Sequence, residues 1–168
     1  MVGAGGTGSH LLPALLRYLR SFHTVTGTEY QIVIADGDIF EEKNLHRQRF
    51  ADGLVTINKA EAMLVMYPAD PIIAVSRYIG KADVETMIQD GDIVLICADN
   101  FSVRRLIIDH VKTLNNCTVI NAGNEMFDGS IQLWVRKDGQ NLTPSLLYGH
   151  PEIVFTDEND RAAMTCMQ

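Results

Sequence analysis

The first nine residues constrain this chain more than any other stretch. Met1-Val2-Gly3-Ala4-Gly5-Gly6-Thr7-Gly8-Ser9 carries G-x-G-x-x-G at Gly3, Gly5 and Gly8, and the apolar-periodic run directly behind it opens a helix. A turn this tight needs residues without a Cβ, so that backbone N–H groups can approach a phosphate at the positive end of the following helix. The loop by itself serves many dinucleotide enzymes, so residues further along must decide its use.

Composition narrows the class. A chain of 168 residues, 46% hydrophobic and 21% charged, fits one globular domain, 1–168, with a real core. The formal charge of −7 argues against nucleic acid as a partner, because phosphate backbones attract a basic face. No apolar run reaches the length of a membrane span, and the amino terminus lacks the regions of a signal peptide, so a cytoplasmic protein is expected. Cys97, Cys117 and Cys166 cannot all pair and none lies in C-x-x-C, so neither a disulfide framework nor a zinc ribbon is indicated.

Taken in order, the chain reads as alternating helices and strands. Only Met1 and Val2 precede the glycine loop, so the first strand is expected to be clipped. Leu11, Leu12, Leu15, Leu16, Leu19 and Phe22 recur at helical spacing, with Pro13 tolerated in the first turns. Tyr30 to Ala35 is a buried strand ending at Asp36, the place where a Rossmann-like site binds ribose hydroxyls. Asn58 to Tyr67 is a short helix with Ala62, Met63 and Met66 inward, and Ile72 to Ser76 is a strand. Asp83 is placed to cap a helix through Ile88. Ile93 to Ile96 is a fully apolar strand that delivers Cys97, Ala98, Asp99 and Asn100 to the carboxyl edge of the sheet. A helix from about Phe101 to Leu114, a strand from Thr118 to Asn121 and an antiparallel strand with Ile131, Leu133 and Val135 alternating against Ser130, Gln132 and Trp134 follow. From about 141 to 168, prolines and the acidic run Asp157-Glu158-Asn159-Asp160 suggest an exposed crossover loop. The expected fold is α/β and Rossmann-like: a mostly parallel sheet, helices on both faces, and antiparallel strands toward the C-terminal part.

The combination of GAGGTGS, IADGDIFEEKNLHRQRF, NKAEA and LICADN resembles the ThiF/MoeB/HesA family and the adenylation domains of ubiquitin-activating enzymes. The D-x-D…N-L-x-R-Q block is far more specific than the glycine loop. GNEMFDGSIQLW and the TPSLLYGHPE…DEND…TCMQ tail look most like the ThiF-type protein of the PRTRC system. The resemblance implies an enzyme that binds ATP and Mg²⁺, adenylates the C-terminal glycine of a small ubiquitin-like or sulfur-carrier protein, and releases pyrophosphate. It also implies pairing as a homodimer.

The implied roles make physical sense residue by residue. Gly3, Gly5, Gly6 and Gly8 shape the loop beside the nucleotide, and Asp36 accepts bonds from the ribose. Asn44, Arg47 and Lys59 contact phosphates, with Arg47 and Lys59 stabilising the charge that builds on the α-phosphate as a carboxylate attacks it. Gln48 orients the block. Asp99 holds Mg²⁺, a hard ion suited to one or two carboxylates plus phosphate oxygens and water. Cys166 is the implied acyl acceptor, since a thiolate attacks an acyl phosphate readily.

Other readings stay open at this level. Asp99 could cap the helix behind it, Arg47 and Lys59 could be solvated surface charges, and Cys166 could be an inert thiol. Cys97 and Cys117 read as small core hydrophobes. The glycine loop with Asp36 also fits an NAD-dependent oxidoreductase, and the whole fits a non-catalytic partner of a heterodimeric activating enzyme. Relatives usually carry a glycine a few residues before the motif lysine. Here Val55-Thr56-Ile57-Asn58 stands instead, so the loop bearing Lys59 is expected to sit differently. The paired C-x-x-C zinc ligands of many relatives are absent, and relatives continue beyond Cys166 with further helices.

Overall fold

The computed structural model describes residues 1–124, 129–149 and 151–154, and the chain divides into two compact units, Met1–Tyr78 and Ile79–Gln168. Each is built on parallel strands, as the βα alternation demands.

In the first unit, α1 (Gly6–Thr26) starts inside the glycine run itself. It ends where Gly27 takes a left-handed conformation, φ 71°, and returns its N–H to the His23 carbonyl at 2.8 Å. The strand β1 (Ile32–Ala35) pairs in parallel with β2 (Ile72–Val75). On the other side of β1 the expected short first strand is a single parallel bridge, Val2 with Ala35, held by Gly3 N–H to the Ala35 carbonyl at 2.9 Å and Ala35 N–H to the Met1 carbonyl at 3.0 Å. Leu12 and Leu16 of α1, Ile32 and Ile34 of β1, Ala60 and Met63 of α2 (Lys59–Met66) and Ile72 of β2 form one buried cluster. At roughly 25 cal/mol per Å², each of the larger side chains contributes about 2 kcal/mol on burial. Phe22, expected on the apolar face of α1, is 40% exposed and stacks on Tyr18, because the helix runs past the cluster by its last two turns.

In the second unit, β3 (Ile93–Ile96) pairs in parallel with β4 (Cys117–Asn124), and β4 pairs antiparallel with β5 (Gly129–Lys137), which turns back into the two-residue β6 (Gln140–Asn141). The turn is Asp138-Gly139, both at positive φ, 50° and 75°, the conformation a tight hairpin requires. Two helices, α3 (Lys81–Met87) and α4 (Phe101–Val111), accompany these strands. Asp83 does not begin its helix as expected. Gly80 holds the cap position and Asp83 lies three residues on, its carboxylate accepting the Gly80 N–H at 2.9 Å.

Strand β5 turns Trp134 inward. Ile131 and Leu133 are 80% and 50% exposed, whereas Trp134 is fully buried, its indole N–H donating to Asn141 Oδ1 at 3.0 Å. Burying a tryptophan removes more apolar surface from water than burying an isoleucine, and the indole nitrogen needs a partner when buried, which β6 supplies. Of the stretch 141–168 read as an exposed crossover, the described part holds α5 (Leu146–Gly149) and a 3-10 turn at Pro151–Val154, with Leu146 and Ile153 buried, and the rest lies outside the described residues.

Candidate functional site

The glycine loop, the end of β1 and the start of α2 meet in the first unit. Gly3 holds φ 94°, which only glycine adopts without strain, and this swings the chain so that Ala4 N–H donates to Asp36 Oδ2 at 2.7 Å. Asp36 Oδ1 accepts the Asp38 N–H at 2.8 Å, so both carboxylate oxygens sit on backbone donors. Burial raises the Asp36 pKa above the ordinary carboxylate value, although the two backbone N–H groups and Lys59 oppose it. A half-buried acid in this state gains from further donors, such as a pair of hydroxyls. Helix α1 starts at Gly6 behind the N-cap Gly5, which makes no side-chain cap hydrogen bond, and the N-terminal end of a helix dipole favours an anion.

The segment after β1 folds onto this loop. Asn44 is buried, and its Oδ1 accepts the Glu41 N–H at 3.1 Å, closing a 3-10 turn over Glu42–Asn44 and leaving the amide nitrogen for a ligand. Arg47 and Gln48 follow, their N–H groups both donating to the Asn44 carbonyl. The Arg47 side chain is exposed, while its carbonyl lies 3.5 Å from where a Cβ on Gly6 would stand. Gln48 is buried, its amide nitrogen 3.8 Å from the corresponding position on Gly5. Ser9, which the sequence did not single out, ties the two segments: its hydroxyl donates to the Gly6 carbonyl at 3.2 Å and accepts the Arg49 N–H at 2.9 Å.

Lys59 stands at the first position of α2. Asn58 caps this helix with Oδ1, accepting from Ala60 and Glu61, while its Nδ2 donates to the carbonyls of Asp36 and Asp38 at 2.9 and 3.0 Å. The Lys59 side chain is 8% exposed and its ammonium meets Asp38 Oδ2 at 2.8 Å. Tyr78 donates its hydroxyl to the other oxygen of Asp38. Burial disfavours the Asp38 charge, but the hydrogen bonds from Lys59 and Tyr78 outweigh it and hold this carboxyl below its ordinary value. The same bond pushes the Tyr78 phenol up to about 12. In the loop before Lys59, Thr56 is at φ 75°, in the left-handed region that glycine favours. Asp38 was visible in sequence as the second acid of D-x-D, but Tyr78 carried no signal of its own.

In the second unit, Asp99 is exposed just past the carboxyl end of β3. It is not the helix cap. Asn100 is, its Oδ1 accepting the Val103 N–H at 3.0 Å. The buried Arg104 donates from Nε to the Ala98 carbonyl at 3.1 Å, fixing the loop between β3 and α4. Among the described residues no group of three or more His, Cys, Asp or Glu side chains is placed to cage a metal. Burial pushes the thiols of Cys97 and Cys117 up to about 11, the behaviour of core side chains. Cys166 lies outside the described residues.

The chain is 33% identical over 138 residues to the adenylyltransferase and sulfurtransferase UBA4 of Yarrowia lipolytica, covering 80% of this chain and 32% of the relative. It has the same identity over 138 residues to the UBA4 of Candida glabrata, with 79% and 30% covered. Among solved structures it is similar to E. coli MccB with ATP, at TM-score 0.51 and 25% identity, covering 73% of this chain and 35% of that one. It also shares its fold with the microcin C7 biosynthetic enzyme MccB in complex with N-formylated MccA, at TM-score 0.51 and 23% identity, covering 73% of this chain and 34% of that one. The chain therefore spans about a third of the length of these proteins. The model of the ThiF family matches residues 1–166, and with this coverage the chain belongs to the ThiF family.

Proposed function

We propose that this chain is the adenylation domain, 1–168, of an enzyme that binds ATP with Mg²⁺, adenylates the C-terminal glycine of a small ubiquitin-like or sulfur-carrier protein and releases pyrophosphate. The observation that carries this reading is the convergence of the Gly3–Gly8 loop, Asp36 and Lys59 in one unit of a ThiF-family chain. Asp36 takes the ribose hydroxyls, and the uncapped start of α1 faces the phosphates. Arg47 and Lys59 stabilise the negative charge that grows on the α-phosphate as the glycine carboxylate attacks. No general base is needed, because a terminal carboxylate is already ionised at neutral pH. Asn44 contacts the phosphates beside Arg47 and Lys59, and Gln48 orients the segment that carries Arg47. Asp99 supplies the carboxylate for Mg²⁺, which when bound would neutralise phosphate charge.

Cys166 is proposed as the acceptor of the acyl group, and a homodimer in the cytoplasm as the working form. The test is ATP–pyrophosphate exchange with a small ubiquitin-like protein ending in Gly-Gly. Exchange that depends on that protein supports the reading, and its absence across such partners in the presence of ATP and Mg²⁺ refutes it. A thiol-sensitive adduct lost in Cys166→Ala identifies the acceptor, and light scattering reads the assembly.

A further inference from the structure

Lys59 is a nearly buried ammonium whose acidic partner, Asp38, is not a member of the nucleotide-contacting set named above. Asp38 is joined to α2 at three points: its Oδ2 takes the Lys59 ammonium, its carbonyl accepts the Lys59 N–H at 2.9 Å, and the same carbonyl accepts from Asn58 Nδ2 at 3.0 Å. Its other carboxylate oxygen is engaged by the Tyr78 hydroxyl. Tyr78 comes from beyond the end of β2 and is 76% exposed, so burial does not hold it there. It lies flat against the backbone at Gly37, where a Cβ would come within 2.4 to 2.7 Å of its ring atoms. Only a glycine between Asp36 and Asp38 lets the ring reach Asp38.

We propose that Asp38, braced by Tyr78 across Gly37, is the positioning residue that sets the Lys59 ammonium for the phosphates of the nucleotide. The inference rests on the nucleotide reading above. An ammonium has three donors, and Asp38 takes one, which leaves two to bind phosphate oxygens from a fixed place. Without that anchor a buried ammonium is unpaired and relaxes away from the site. The hydroxyl of Tyr78 keeps the carboxylate from rotating, because both of its oxygens then have partners.

The test measures binding of ATP with Mg²⁺ and of adenosine to the whole chain by ligand-observed NMR and calorimetry. Asp38→Asn weakens ATP by at least about tenfold, the scale of a charge-assisted hydrogen bond, and leaves adenosine unchanged. Tyr78→Phe keeps the ring and loses the hydroxyl, and weakens ATP by about threefold. Gly37→Ala displaces the exposed ring and matches Tyr78→Phe, while Asp38→Glu restores part of the lost affinity. In a Lys59→Ala background Asp38→Asn has no further effect on ATP, since the residue it positions is gone. Asp38→Asn with wild-type ATP affinity overturns the positioning role and leaves the nucleotide reading standing. Equal losses for ATP and adenosine also overturn it, because they mark a purely structural residue. A wild-type chain that binds neither ligand overturns the nucleotide reading and this inference together.

Discussion

The Asp36 carboxylate accepts the backbone N–H of Ala4 at 2.7 Å, joining a loop and a strand end that lie 32 residues apart in the sequence. Because that bond and the Asp38 N–H leave an acid whose burial still raises its pKa, ribose hydroxyls would add the donors it lacks. ATP with Mg²⁺ is therefore expected to raise the melting temperature by mass action, by about 2.7 kcal/mol of stability at a hundred times Kd, while NAD does little. Asp36→Ala should lose the ATP effect. Stabilisation by NAD alone would turn the reading toward an oxidoreductase.

Thr56 provides a second prediction. A β-branched residue at φ 75° carries strain of about 1–2 kcal/mol, and glycine at the same place removes it at a cost of roughly 0.5–1 kcal/mol in unfolded-chain entropy. Thr56→Gly should raise the melting temperature slightly, and Thr56→Val should not. A clear loss of stability in Thr56→Gly would mean that the threonine side chain contributes more than the strain costs.

Asp70 sets a pH dependence. It is buried, its Oδ1 accepts from Arg20 Nε at 2.7 Å and from the Tyr30 hydroxyl at 3.3 Å, and Arg20 also engages Oδ2. The Arg20 guanidinium lowers the Asp70 pKa below its unfolded value of about 3.9. A depressed carboxylate contributes stability that is present above the unfolded pKa and is lost as pH falls through the folded one. Asp70→Asn should thus lower the melting temperature at pH 7, and the gap to wild type should close below about pH 4. A gap that stays constant down to pH 2 would assign the loss to packing.

The α/β alternation, the parallel pairing of β1 with β2 and β3 with β4, and the helix behind the glycines were legible because each rests on local periodicity or on glycine geometry. The facing of β5 was not. Its alternation is the same read either way, and the choice between Ile131 and Trp134 was made by the bulk of the indole and by the Asn141 side chain across the hairpin. At the site, Asp36, Lys59 and the glycines came from the motifs. Tyr78 could not have, because its role depends on β2 returning beside β1 to bring residue 78 over Gly37. Asn44 shows the converse: the motif names it, and the structure spends one of its polar atoms on the Glu41 N–H.

Asp99 and Asn100 are neighbours with separable work. Asn100 caps α4 through Val103 N–H, and Asp99 is exposed at the carboxyl end of β3, where open α/β sheets place their ligands. Asn100→Ala should cost about 1 kcal/mol of stability, the usual worth of such a cap, with pyrophosphate exchange per folded molecule retained. Asp99→Ala should leave the melting temperature within about 0.5 kcal/mol of wild type, as an exposed substitution does, and abolish exchange by removing the carboxylate for Mg²⁺. Raising Mg²⁺ should recover part of the activity in Asp99→Asn, which retains one oxygen ligand, and none in Asp99→Ala. Near-normal exchange in Asp99→Ala at low Mg²⁺ would remove this residue from the metal site and leave the strand end with no assigned ligand.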